Sequence, residues 1–313
     1  MDFKNIVVIG GGVLGSQIAF QTAYSGFNVI ILTDTEASKT EINNKLSKLK
    51  ETYINEINNM ENIKDITKWS MGISDYEGFN KDKCLDRVNN TLGRITLETN
   101  QKEALKNADL VIESITENIK AKTALYKQIA PYLKEDTVVV TNSSTLLPSK
   151  MAKATKRPDK YLALHFANNI WKNNIAEVMA HSKTNKKYFE AVLVFASNIR
   201  MIPLPIYKEK SGYLLNSMLV PFLFSALDLY VNGISDPESI DKAWTLGTGA
   251  PHGPFRILDT VGMVTAYNIV KMYVKVPKFL APYNFKGMAK VLDQMIKDGK
   301  LGKASGTGFY KYE

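Results

Sequence analysis

At 313 residues the chain is longer than one ordinary hydrophobic core requires, so two domains are expected. Its 45% hydrophobic and 23% charged residues are those of a soluble globular protein, and no apolar stretch reaches the roughly 18 residues of a membrane span. The net charge of +9 comes from scattered lysines with no basic run interleaved with aromatics. That excludes an obvious nucleic-acid surface and leaves a lysine-rich exterior or attraction to a polyanionic small molecule.

The chain opens on a strand rather than on the charged start of a signal peptide. Ile6, Val7, Val8 and Ile9 form a continuous apolar run, as in a strand covered on both faces. Gly10, Gly12 and Gly15 follow in G-x-G-x-x-G spacing, with Val13 and Leu14 between the last two. The first glycine permits a tight turn, the second lets a pyrophosphate approach the backbone, and the third lets the helix lie close on the sheet. The helix start offers unpaired amides and a positive dipole end to a phosphate. Set between a strand and an apolar helix (Ile18, Ala19, Thr22, Ala23), the pattern reads as a dinucleotide site. The plainer reading is a turn whose glycines serve packing alone.

The second strand, Val29 to Leu32, runs into Thr33 and Asp34. An acidic side chain near this point takes the ribose hydroxyls and favours NAD over NADP. The expected place is Thr33, and Asp34 comes one residue later on the opposite face of an extended chain. Neither neighbour is an arginine that would cradle a 2′-phosphate, so NAD is the expected cofactor.

A polar, lysine-rich segment from about Ala37 to Leu105 carries helical spacing (Leu46, Leu49, Tyr53, Ile54, Ile57) with no clear strand before Ile95. It reads as one or two helices projecting from the sheet, irregular near Trp69 to Asn80. Cys84, within it, is the only cysteine, which excludes an internal disulfide and fits a reducing cytoplasm. Buried strands follow at Asp109–Ser114, Asp136–Thr141, Tyr161–His165 and Ile175–Met179, with a helix at Lys120–Leu133. After Pro203 only helices are expected: Leu214–Tyr230, Pro237–Leu246, Pro254–Tyr273 and Met288–Asp298. The fold class is therefore α/β. A doubly wound, mostly parallel sheet of the Rossmann type with a helical insertion (about 37–105) spans 1–204, and an all-α domain spans 205–313.

His165 ends the strand YLALH, at the edge where ligands bind in open parallel sheets. Of the other two histidines, His181 (AHSKTN) and His252 (APHGP) read as surface or turn residues. A histidine can take a hydroxyl proton while hydride leaves the same carbon, and works best when a carboxylate holds its other nitrogen. Glu177, in the apolar strand IAEVM, is costly to bury unless paired. A His165–Glu177 pair would account for both; the alternative is a satisfied core histidine beside an exposed strand glutamate.

The segments VVIGGGVLGSQIA, ADLVIESITENIKAK, TNSSTLLPS, LHFANN, AEVM, SGYLLNSMLVPF, GTGAPHGPFRILDTVG and GKASGTGFYKY follow in the right order along nearly the whole chain. In them the chain resembles the L-3-hydroxyacyl-CoA dehydrogenase family. The resemblance implies a catalytic His165–Glu177 pair, and Ser144 and Asn216 holding the substrate's hydroxyl and thioester region. It also implies that Glu117 and Lys122 lie near the nicotinamide ribose, with Asn142, Ser144 and Asn168 in the same cofactor region. Ser144 reads otherwise as a strand end or helix cap, Asn216 as an exposed helix residue, and Lys122 as a solvated lysine. No metal is expected.

HFANN stands for the family's HFFNP, WKNNIAE for PVMKLVE, and Thr33 for the usual ribose aspartate. The segment before Asp109, which helps bind coenzyme A in the family, is longer than in most members. The expected activity is reversible, NAD-dependent oxidation of a short (S)-3-hydroxyacyl-CoA such as 3-hydroxybutyryl-CoA, in a cleft between the domains. A cytoplasmic homodimer formed through the helical domain is expected, with no nucleic-acid or membrane partner. Two other readings are a dehydrogenase of a free 3-hydroxy acid (gulonate or carnitine type) and a non-catalytic dinucleotide-binding protein. HF rather than HP after the strand speaks against the first, and the presence of both His165 and Glu177 against the second.

Overall fold

In the computed structural model, which describes residues 3–75, 78–277 and 279–312, the chain divides into two compact units, Met1–Leu214 and Leu215–Glu313. Residues 76 and 77, inside the stretch expected to be irregular, lie outside the described residues.

Among its described residues the first unit holds eight strands: β1 (Asn5–Ile9), β2 (Asn28–Leu32), β3 (Ile95–Glu98), β4 (Leu110–Glu113), β5 (Val138–Thr141), β6 (Tyr161–Phe166), β7 (Ile175–Met179) and β8 (Ile202–Ile206). They form one sheet in the order β3-β2-β1-β4-β5-β6-β7-β8, parallel except where β7 runs against β6. Among the described residues six α-helices cover it: α1 (Val13–Tyr24), α2 (Glu36–Glu61), α3 (Lys81–Thr91), α4 (Gln101–Leu105), α5 (Ile119–Ile129) and α6 (Lys186–Asn198).

Successive strand residues feed opposite faces, and here both faces are cores. Ile6 and Val8 of β1 join Leu110 and Ile112 of β4 in the layer packed under α1, α2 and α6. Val7 and Ile9 join Val111 and Val139 in the layer containing Ala104, Leu105, Tyr126 and Ile129 of α4 and α5. Helix α1 is buried nearly all round, polar residues included. Its Gln21 is satisfied because Nε2 donates to the Gly72 and Ile199 carbonyls at 2.8 and 2.9 Å, while Oε1 accepts from the Tyr53 hydroxyl. Asp75 accepts a bidentate pair from Arg87 (2.8 Å each) and a third bond from Arg200, which ties α3 to the end of α6.

Three elements depart from expectation. The insertion is not purely helical, since Ile95–Glu98 forms the edge strand β3 against β2. The break expected at 204/205 falls inside β8, and the division comes at Leu214/Leu215. Pro203 and Pro205 are tolerated because β8 is an edge strand whose alternate residues, starting with Ile202, turn their amides toward β7. The helix expected over Pro254–Tyr273 is broken in two by Gly262, whose φ of 89° stops one helix and starts the next.

The second unit contains α7 (Leu215–Val231), α8 (Pro237–Thr248), α9 (Pro254–Val261), α10 (Met263–Lys271) and α11 (Phe285–Lys297), packed on Phe255, Met263, Met288 and Leu292. The terminal glycine turn folds back onto α9. Asp259, 1% exposed, accepts from the Phe309 and Tyr310 amides and the Tyr312 hydroxyl at 2.8–2.9 Å. Phe309 stacks edge-on against Phe255 and Tyr230. Among the described residues no helix is long and apolar enough to cross a membrane.

Candidate active site

The glycine turn leaves β1 with Gly10 at φ 102°, where an added Cβ would meet the Ser114 carbonyl. Gly15 packs its bare Cα against the Gly10 carbonyl, so a side chain there would push α1 off the sheet. Gly12, the N-cap of α1, faces open space and caps the helix with no side-chain bond. The first-turn amides are therefore available to a phosphate. Beside them a cavity of about 670 Å³ opens over the carboxyl ends of β1, β2 and β4, lined by Thr33, Asp34, Ser38, Thr99 and Gln101 among others. Val13 is 66% exposed at the helix start, whereas Leu14 turns inward against the core.

Thr33 and Asp34 both line this cavity. Thr33 is buried, and its amide continues the β2–β3 ladder by donating to the Glu98 carbonyl. Asp34 is exposed, and the Ser38 hydroxyl donating to it (3.0 Å) holds its carboxyl below the usual range. An ionised carboxylate at the end of β2 suits ribose hydroxyls and repels a 2′-phosphate. The free helix start, the room at Gly12 and Asp34 together fit NAD. Asp34→Ala is expected to raise KM for NAD about tenfold, the cost of one charge-assisted bond of roughly 1.5 kcal/mol, and to narrow the preference over NADP. Initial rates with both cofactors measure this; an unchanged NAD/NADP ratio refutes it.

The second cluster grows from the antiparallel β6–β7 pair. His165 and Glu177 are register partners, so their side chains share one face of the sheet. Glu177 is 1% exposed, and its Oε2 lies 2.9 Å from His165 Nδ1. Its Oε1 accepts from the Leu214 amide at 2.8 Å. A carboxylate can only accept, so Nδ1 carries the hydrogen and the lone pair of the neutral ring sits on Nε2. There the Ser144 hydroxyl lies at 3.1 Å and donates. The result is a basic nitrogen whose direction is set from both sides.

Ser144 owes its place to a polar scaffold under the loop after β5. Glu117 Oε1 accepts from the Ser143 hydroxyl (2.6 Å) and from the Thr145 amide and hydroxyl (2.8 Å each). Burial alone would raise this carboxyl, but those donors and Lys122 hold it below its ordinary value. Lys122 is not the solvated lysine of the plainer reading. It is 1% exposed, and its ammonium lies 2.5 Å from Glu113 and 3.8 Å from Glu117. Glu113 was not singled out from the sequence, yet it is fully buried and also takes the Tyr126 and Thr141 hydroxyls at 2.6 and 2.8 Å. The signal was a charged residue closing the apolar strand DLVIE, which demands partners. Asn142 ties two strand ends together, donating to Ser114 Oγ (3.2 Å) and accepting from the Phe166 amide (3.0 Å).

Asn168 is exposed, and its carbonyl accepts from the Asn173 side chain. Past it, Ile170 and Trp171 are buried, Trp171 lying against Tyr53 of α2, so this loop is pinned to the insertion. Asn216 lies half-buried in the first turn of α7, in the helical unit. His252 is exposed, as expected of a turn. His181 departs from expectation: it is buried, its pKa is lowered by that burial, and its Nδ1 accepts from the Lys183 amide.

Residues 5–210 match the NAD-binding domain of 3-hydroxyacyl-CoA dehydrogenase, and residues 212–312 match its C-terminal domain. The mitochondrial hydroxyacyl-coenzyme A dehydrogenase of Homo sapiens is 32% identical over 314 residues, covering 99% of this chain and 91% of that protein. The 3-hydroxybutyryl-CoA dehydrogenase of Clostridioides difficile is 28% identical, covering 98% and 99%. A solved diketoreductase, described as catalysing dicarbonyl compounds in a substrate-directed dual manner, is 41% identical with both chains fully covered and a TM-score of 0.85. With a dinucleotide cavity at one end of the sheet, a histidine–glutamate pair on adjacent strands and both domains matched end to end, the chain belongs to the 3-hydroxyacyl-CoA dehydrogenase family, NAD-dependent oxidoreductases of 3-hydroxyacyl-CoA and 3-oxoacyl-CoA.

Proposed function

We propose that this enzyme works on short-chain substrates, interconverting (S)-3-hydroxybutyryl-CoA and acetoacetyl-CoA, with His165 as its acid and base. The acid–base role is carried by the buried Glu177–His165 pair presenting Nε2 to Ser144, and the short chain is supported by the likeness to the 3-hydroxybutyryl-CoA dehydrogenase of Clostridioides difficile. Bound NAD supplies the hydride acceptor, and NADH the donor in reverse. His165 Nε2 takes the proton of the 3-hydroxyl as the carbon is oxidised, and returns it to the carbonyl oxygen on reduction. Glu177 keeps the lone pair on Nε2 and stabilises the ring once it is charged. The Ser144 hydroxyl, 3.1 Å from Nε2, orients the reacting oxygen. Glu117 and Lys122 act beneath them, by holding the Ser143–Thr145 loop against the cofactor side of the sheet.

A second reading is favoured by the 41% identity to the diketoreductase: the same groups would act on dicarbonyl compounds. NADH oxidation with acetoacetyl-CoA, longer 3-oxoacyl-CoA esters and a coenzyme-free diketo ester separates these. The highest kcat/KM is expected for acetoacetyl-CoA; a diketo ester turning over faster than every thioester refutes the reading. We further propose a homodimer through the helical unit, supported by exposed Met218, Ile234 and Leu246 on that unit, and a cytoplasmic home, supported by the lone buried Cys84.

A further inference from the structure

The segment that ends the first unit closes over the histidine pair from outside the sheet. Tyr213 is 1% exposed, and its ring lies face to face on the His165 imidazole, with centroids 4.5 Å apart and planes 21° from parallel. Its hydroxyl donates to the Ser143 carbonyl at 2.6 Å, one residue before the serine that faces Nε2. The next residue, Leu214, gives its amide to Glu177. Ser211 secures the same strap by donating to the Thr145 carbonyl at 2.9 Å. One short segment thus touches the imidazole, its carboxylate and the loop of its serine partner.

Tyr213 holds this place at a backbone cost. Its φ of 54° lies in the left-handed region, which a bulky side chain avoids unless its surroundings over-determine it. Burial also pushes its phenol well above the ordinary range, so the hydroxyl stays a donor. Two hydrogen bonds, at Nδ1 and Nε2, fix the imidazole in its own plane but leave tilt about the line joining them. A flat ring lying on one face removes that tilt, and it does so for the neutral and the charged imidazole alike.

We propose that Tyr213 is a positioning residue of the reaction: its ring holds the tilt of His165 so that Nε2 stays aimed at the substrate oxygen. This rests on the reading of His165 as acid and base. Misaiming a reacting atom by about an ångström costs up to roughly 10²-fold in rate. Tyr213→Met, which removes the flat face, is expected to lower kcat by about ten- to a hundredfold with KM for acetoacetyl-CoA and for NADH within about twofold. Tyr213→Phe, which keeps the ring, is expected to stay within about fivefold of the parent.

The decisive measurement repeats Tyr213→Met in a His165→Gln background. If Tyr213 acts through the imidazole, it costs nothing further there; a merely structural role costs the same factor in both backgrounds. Tyr213→Asn, whose residue accepts the left-handed conformation, serves if the methionine variant does not melt cooperatively. An equal loss in both backgrounds, or a kcat unmoved by losing the ring, overturns the proposal. Normal turnover by His165→Gln alone would instead overturn the reading of His165, so the two failures are distinct.

Discussion

Replacing His165 with glutamine is expected to lower kcat by about 10²–10⁴-fold, the usual worth of a positioned acid–base group. NAD should still bind, because the cavity at the ends of β1, β2 and β4 is lined by other residues. Glutamine keeps a donor that can reach Glu177, so the buried carboxylate is not left wholly unpaired. It offers no nitrogen able to take and return a proton near neutral pH. The loss should therefore fall on kcat in both directions, with KM for the thioester little changed. Steady-state rates, with NADH binding followed by fluorescence, test this. A glutamine variant within tenfold of the parent rate would remove His165 from the chemistry.

The second large effect is expected at Glu177, through the tautomer it imposes. Its two oxygens accept from different donors, His165 Nδ1 and the Leu214 amide. Glutamine has one accepting oxygen for those two donors. If that oxygen serves Leu214, the amide nitrogen faces Nδ1, and the ring must move its hydrogen to Nε2. A ring with its hydrogen on Nε2 is unable to accept the substrate proton, so kcat for alcohol oxidation is expected to fall by about 10³–10⁴-fold, as in serine hydrolases that lose the corresponding carboxylate. If the oxygen serves His165 instead, the Leu214 amide is orphaned, at about 1–3 kcal/mol of stability. Turnover and denaturant midpoint measured on Glu177→Gln and Glu177→Asp distinguish the two. Near-normal oxidation by the glutamine variant would show that the tautomer is set elsewhere.

Much of the site was legible one residue at a time, because its parts lie at strand ends where sequence patterns are plain. The glycine turn, the run Ile6–Ile9 and a histidine closing an apolar strand each announce themselves. A glutamate amid apolar neighbours at 177 had to find a partner, and the register of β6 and β7 supplies it directly opposite. Glu113 obeys the same argument but drew no notice, since its partners Lys122, Tyr126 and Thr141 come from one helix and a neighbouring strand. Tyr213 carried no signal at all; an aromatic residue ahead of an apolar helix reads as ordinary packing.

Local chemistry along the chain was enough to specify the parallel sheet, the dinucleotide turn and the helical character of the last third, because periodicity and glycine spacing act over a few residues. Where strands end up within the sheet is a different matter. β3 and β8 are short edge strands, one inside a polar insertion and one carrying two prolines, and only pairing with β2 and β7 makes them strands. The pairing of His165 with Glu177, the burial of Lys122 and the ring lying on the imidazole likewise belong to tertiary structure. Each depends on side chains from separate elements that only the fold brings together, and on desolvation that leaves a buried charge no choice but a nearby partner.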